Sequence, residues 1–126
     1  MLKASVISVI DDDESLRLST ASLLRSMGYA AECFESAEQF LESSNICRFD
    51  CVISDIQMAG ITGIDLVRIL RSRQKKTSVI LMTGRAEQSA VEQALISGAI
   101  CVLKKPFAAE LLLSCIEDVI HDNGKV

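Results

Sequence analysis

Five short apolar runs divide the chain, and between them apolar residues recur at helical spacing. Ala4 to Ile10 is β-branched, lacks a helical period and stops at an acidic cluster, which predicts a strand buried on both faces. Leu16, Thr20, Leu23, Leu24 and Met27 then mark the inner face of a helix, with Gly28 as its stop signal. Ala30 to Phe34 predicts a second strand, and Ser36 followed by Gln39 makes a capping-box signature for a helix running to about Ser43. Cys51 to Ser54 predicts the third strand, followed by a loop with Gly60 and Gly63 and a helix carrying Leu66, Val67 and Leu70. Ser78 to Met82 predicts the fourth, and Ala90, Val91, Ala94 and Leu95 line the helix before Gly98. Ile100 to Leu103 predicts the fifth, and Leu111, Leu112, Cys115, Ile116 and Val119 line a last helix.

Strict alternation of strand and helix predicts an α/β fold: a doubly wound five-stranded parallel sheet with helices on both faces. Parallel strands need crossover connections, and those crossovers are right-handed. The 126 residues suit one domain, placed at 1–120, because a second core would lack material. His121 to Val126 is polar, contains Asn123-Gly124, and reads as a tail or the start of a linker.

Composition narrows the partners. With 49% hydrophobic and 24% charged residues the chain can bury a core and is far from the disordered range. A net charge of -4 argues against direct nucleic-acid binding by this chain. The basic run Arg71, Arg73, Lys75 and Lys76 reads as a solvated helix end that complements the dipole. Cys33, Cys47, Cys51, Cys101 and Cys115 form no Cys-x-x-Cys pair and read as small buried hydrophobes in a reducing cytoplasm. The run from Ala4 to Ile10 is too short and wrongly flanked for a signal peptide or membrane span, so a cytoplasmic protein with no membrane contact is expected.

In open α/β sheets ligands bind beyond the carboxyl ends of the strands. The first strand ends on Asp11-Asp12-Asp13-Glu14, the third on Asp55, the fourth on Thr83-Gly84 and the fifth on Lys104-Lys105-Pro106. Singly, each has a plain structural reading: acids at a helix N-terminus, an Asp or Thr in a turn, a solvated lysine. Together they place carboxylates, a hydroxyl and an amine on one rim. Neighbouring carboxylates repel unless a cation intervenes, and Mg²⁺ fits because it uses few carboxylates and leaves positions for water and phosphate oxygens. A phosphoryl group in transfer spreads negative charge over its oxygens, which a metal, an ammonium and a hydroxyl can neutralise while Asp55 attacks phosphorus to form an acyl phosphate.

From Val6 to about Ile120 the chain resembles the receiver domain of response regulators in bacterial two-component systems, on the acid pair Asp11-Asp12, on Asp55, on Thr83 and on Lys105-Pro106. Its local pattern is closest to regulators of the nitrogen-fixation or nitrate type, which carry a C-terminal helix-turn-helix. The resemblance implies a flavodoxin-like strand order, 2-1-3-4-5. It implies transfer of a phosphoryl group from a sensor histidine kinase to Asp55, with Mg²⁺ held by Asp11, Asp12, Asp55 and the backbone carbonyl of Gln57. It further implies that Thr83 and Lys105 engage the phosphoryl group and remodel the face of helix four, strand five and helix five. A phosphorylation-dependent homodimer through that face, a C-terminal DNA-binding domain in the full-length protein and a cis Lys105-Pro106 bond go with it. Such a domain is not an enzyme acting on an external substrate, although it promotes its own Mg²⁺-dependent phosphorylation and dephosphorylation.

Three departures from the family pattern involve four positions. Val102 stands where an aromatic residue is usual, Met58-Ala59 replaces Met-Pro, and Gln57 and Arg85 occupy positions that influence phosphate loss. The first two keep open an alternative, a receiver-like interaction module that acts independently of phosphorylation. A dehalogenase-like phosphohydrolase, which also uses an aspartyl nucleophile and Mg²⁺, would need an acid two residues after Asp55, where Gln57 stands, and the single His is His121 in the tail.

Overall fold

Each apolar run forms a strand and each periodic segment a helix in the computed structural model, which describes residues 5–43, 45–84 and 88–123. In order these are β1 (Val6–Ile10), α1 (Glu14–Ser26), β2 (Ala30–Phe34), α2 (Ala37–Glu42), a 3₁₀ turn (Ile46–Arg48), β3 (Cys51–Asp55), α3 (Gly63–Ser72), β4 (Val79–Thr83), α4 (Gln88–Ser97), β5 (Cys101–Lys104) and α5 (Ala109–Asn123). The strands pair in parallel in the order β2-β1-β3-β4-β5, which is the expected doubly wound sheet. The polar stretch from His121 begins inside α5, whose backbone stays helical to Asn123. Among the described residues no helix is long and apolar enough to cross a membrane.

Two hydrophobic layers sandwich the sheet, because successive strand residues point to opposite faces. On one side Ile10, Val52 and Leu81 meet Phe40, Leu66 and Leu70 of α2 and α3. On the other, Ile53, Ile80 and Met82 meet Leu24 of α1 and Leu112 and Ile116 of α5. Phe34, Phe40 and Phe49 form a three-ring cluster with centroids 5.4 to 5.9 Å apart, two of the pairs edge-to-face.

Several side chains differ from the sequence expectation. The inner face of α1 is Arg17, Thr20, Ala21 and Leu24, whereas Leu16 and Met27 are 41% and 51% exposed. The true stripe follows the i, i+3, i+4, i+7 spacing from Arg17, whose guanidinium is drawn inward by donating to the Asp11 carbonyl at 2.9 Å. In α4 and α5 the adjacent apolar pairs Ala94-Leu95 and Leu111-Leu112 split, one residue buried and the other about half exposed, since neighbours on a helix point about 100° apart. The cysteines are not uniformly buried: Cys51 is, Cys33, Cys101 and Cys115 are partly so, and Cys47 is exposed because the 3₁₀ turn that holds it buries Ile46 instead. Ser36 caps α2 by accepting from the Gln39 amide, but the Gln39 side chain reaches the Glu35 amide rather than that of Ser36. The complete capping box is at α3, between Thr62 and Asp65. Within the basic run, Arg71 is structural: it donates to the carbonyls of Lys75, Thr77 and Gly98 at 2.9, 2.9 and 3.2 Å.

Ser8, at the centre of β1, is fully buried, and its hydroxyl has no hydrogen-bond partner among the described residues. A buried polar group left unpaired costs about 1–3 kcal/mol. Ser8→Ala is therefore expected to raise stability by about 1 kcal/mol in a urea titration with an unchanged slope. A loss of stability on this substitution would show that the hydroxyl is satisfied.

Candidate functional site

Parallel register brings the strand ends level, with Ile10 beside Ser54, Asp55 beside Met82 and Thr83 beside Lys104. Asp11 follows β1, Asp55 and Thr83 close β3 and β4, and Lys105 follows β5, so all four emerge on one rim. Asp11, Asp55 and Thr83 are buried, and Asp12 is exposed. The Lys105 amide donates to the Thr83 carbonyl at 2.7 Å, which fixes the lysine against the neighbouring strand, and its bond to Pro106 is cis.

The acidic cluster divides its labour. Asp13 is the N-cap of α1 and accepts from the Leu16 amide, and Glu14 lies in the first turn, where an acid offsets the dipole. Asp11 and Asp12 are left for the rim: carboxylate oxygens of Asp11, Asp12 and Asp55 all lie within 4.8 Å of one another. The Lys105 ammonium sits 3.2 Å from Asp55 Oδ2 and 3.4 Å from Asp11 Oδ2. The Gln57 amide donates to Asp55 Oδ1 at 3.3 Å, and the Thr83 hydroxyl donates to Gln57 Oε1 at 3.3 Å. Arg85 lies outside the described residues.

Three carboxylates face one ammonium, so the rim carries excess negative charge. Burial pushes the Asp55 carboxyl above its ordinary range, the Lys105 charge opposes that rise, and the negative charge of Asp11 adds to it. A hard divalent cation among these oxygens would relieve both the repulsion and the shift, and an all-oxygen donor set suits Mg²⁺.

Two features of the rim escape the sequence pattern. Gly63 opens α3 directly beneath Asp55: a Cβ there would stand 2.5 Å from the Asp55 carbonyl oxygen and 2.9 Å from a Leu81 methyl, so only glycine allows the helix to start so close. A largely apolar cavity of about 410 Å³ also opens beside Lys105, between α1 and the loop after β5, lined by Leu16, Leu23, Met82, Pro106 and Phe107 among others. Leu16, 41% exposed on α1, forms part of its wall.

The sequence profile of the response regulator receiver domain matches residues 7–117. The chain belongs to the receiver domain family. It is 36% identical over 115 residues to the transcriptional regulatory protein FixJ of Bradyrhizobium diazoefficiens, covering 91% of this chain and 56% of FixJ. It is 35% identical over 114 residues to the response regulator protein TodT of Pseudomonas putida, covering 90% of this chain and 50% of TodT. The receiver thus spans about half the length of these relatives. Among solved structures, the chemotaxis protein CheY4 of Vibrio cholerae superposes with a TM-score of 0.84 at 28% identity, over 93% of this chain and 99% of CheY4. Receivers serve two-component signal transduction and generally bind Mg²⁺ at an acidic pocket, and in this chain Asp11, Asp12 and Asp55 form an acidic cluster on the rim.

Proposed function

We propose that Asp55 takes up a phosphoryl group from the phosphohistidine of a sensor histidine kinase, and that Thr83 and Lys105 read its arrival. The observation that carries this reading is the Lys105 ammonium, held within 3.4 Å of both Asp11 and Asp55 on a rim that closes with Thr83. Mg²⁺ held by Asp11, Asp12, Asp55 and the Gln57 backbone carbonyl would supply positive charge to the phosphoryl oxygens. An Asp55 carboxylate oxygen bonds to phosphorus as the phosphorus–nitrogen bond to the donor imidazole breaks, and the imidazole, already protonated on its other ring nitrogen, leaves as the neutral ring. Lys105, already paired with Asp55, keeps its charge and re-pairs with a phosphoryl oxygen, and the Thr83 hydroxyl re-aims from Gln57 toward another.

The domain turns over no external substrate in this reading; it promotes only its own phosphorylation and dephosphorylation. The output runs through α4, β5 and α5, where Leu95, Ile96, Ile100 and Leu111 are exposed and Val102 packs partly buried against the core. A phosphorylation-dependent homodimer through this face, a DNA-binding domain in the remaining half of a FixJ-like or TodT-like regulator, and a cytoplasmic location belong to the same reading. With a net charge of -4, DNA contact falls to that further domain.

Incubation with Mg²⁺ and acetyl phosphate followed by intact-mass measurement tests the proposal. A single phosphoryl increment that a chelator abolishes is expected; no increment from folded protein with either acetyl phosphate or a phosphorylated kinase would favour the phosphate-independent interaction module. Lys105→Met should slow uptake by about 10²–10³-fold, the loss usual when a preorganised charge partner is removed. It should also raise the Asp55 pKa further, since Lys105 opposes the effect of burial. A time course indistinguishable from the parent protein would remove Lys105 from the reaction.

A further inference from the structure

Cys101 opens β5 and Cys115 lies in α5, 14 positions apart in sequence, with their Sγ atoms 2.8 Å from each other. A disulfide bond is about 2.05 Å long, so the two sulfurs need to close by only about 0.75 Å. Both residues are partly exposed, which gives a small oxidant access. Among the described residues no third thiol, imidazole or carboxylate joins the pair closely enough to complete a metal site, so the geometry suits a covalent bridge better than a bound ion.

We propose that Cys101 and Cys115 form a reversible intramolecular disulfide that fastens α5 to the edge strand β5. The reaction needs an oxidant, and a low-molecular-weight disulfide such as oxidised glutathione supplies it. One protein thiol, after losing its proton, attacks the small disulfide, forming a mixed disulfide and expelling one small thiol. The second protein sulfur then attacks the protein sulfur of the mixed disulfide, forming the Cys101–Cys115 bond and expelling the second small thiol. The protein loses two electrons and two protons, and the small disulfide gains them.

Burial, and then the adjacent Cys115, push the Cys101 thiol up to about 12, so it stays protonated at neutral pH and is a poor target for general electrophiles. Proximity rather than nucleophilicity selects this pair. Once closed, the bridge encircles the segment that carries Lys105, which joins the redox state of the surroundings to the stretch of chain that reads Asp55.

The test treats reduced Cys47→Ser protein, which lacks the exposed thiol, with oxidised glutathione, traps remaining thiols with N-ethylmaleimide and maps peptides by mass. The expected product weighs about 2 Da less before trapping, links the peptides of Cys101 and Cys115, and reverts with dithiothreitol. The selectivity should vanish in urea, where the native geometry is lost. Stable glutathione adducts at Cys101 or Cys115 without a bridge, a bridge through the nearby Cys51, full alkylation of both residues in folded protein, or the same selectivity in urea would each overturn the proposal.

Discussion

Asp55→Asn is expected to abolish phosphoryl uptake while making the metal-free protein harder to unfold at pH 7. The loss of uptake follows from chemistry, because an amide oxygen is too poor a nucleophile to form the acyl phosphate. The stability gain follows from the raised Asp55 pKa, caused first by burial and then by Asp11. A carboxyl whose folded pKa lies above its unfolded value of about 3.9 leaves the fold unpenalised at low pH, and stability falls as pH rises through the folded value. At pH 7, well above the unfolded value, Asp55 therefore weighs against folding, and the amide removes that burden. Thermal melts in a chelator should show the variant above the parent at pH 7 and the difference gone below about pH 4. Phosphoryl uptake by the variant would mean that another acid on the rim is the acceptor, and equal melting temperatures at pH 7 would mean that Lys105 fully compensates for burial.

Phe40→Ala should lose about 3–5 kcal/mol of stability, a substantial fraction of the roughly 5–15 kcal/mol that a domain of this size holds. Phe40 is fully buried and stands edge-on to Phe34 at 5.4 Å, with Phe49 tilted against it at 5.6 Å. Removing it opens a void that two aromatic rings and the end of β2 cannot collapse to fill, and its edge-to-face pairing is lost as well. A urea titration reads the loss directly, and a change below about 1 kcal/mol would show that the cluster repacks.

Strand and helix positions were legible because five buried strands leave apolar runs and their helices leave a helical period. The strand order β2-β1-β3-β4-β5 was not contained in that alternation, which fits several sheets; it came with the resemblance to receivers. Apolarity could not say which of Ala94 and Leu95 faces inward, because that depends on how α4 is rotated against the sheet. Arg17 was missed on the inner face of α1 since a long side chain can bury its stem while its head serves a backbone carbonyl. The rim acids were visible as residues on strand ends, and the grouping of Asp11, Asp12 and Asp55 came with the resemblance to receivers, but the role of Asp13 as the cap of α1 needed backbone geometry. The apolar cavity beside Lys105 was invisible because its walls come from α1, β4 and the loop after β5.

The close seat of Gly63 under the Asp55 carbonyl sets a boundary for redesign of this domain. The floor of the rim is made of backbone against backbone and has no slack, so position 63 admits no side chain without moving Asp55 itself. Its walls are side chains such as Gln57, Thr83 and Lys105, joined by contacts of 3.2 to 3.4 Å that can be remade. Libraries meant to retune the chemistry proposed for Asp55 therefore belong on the walls, with the glycine held constant as the datum from which every other position is measured.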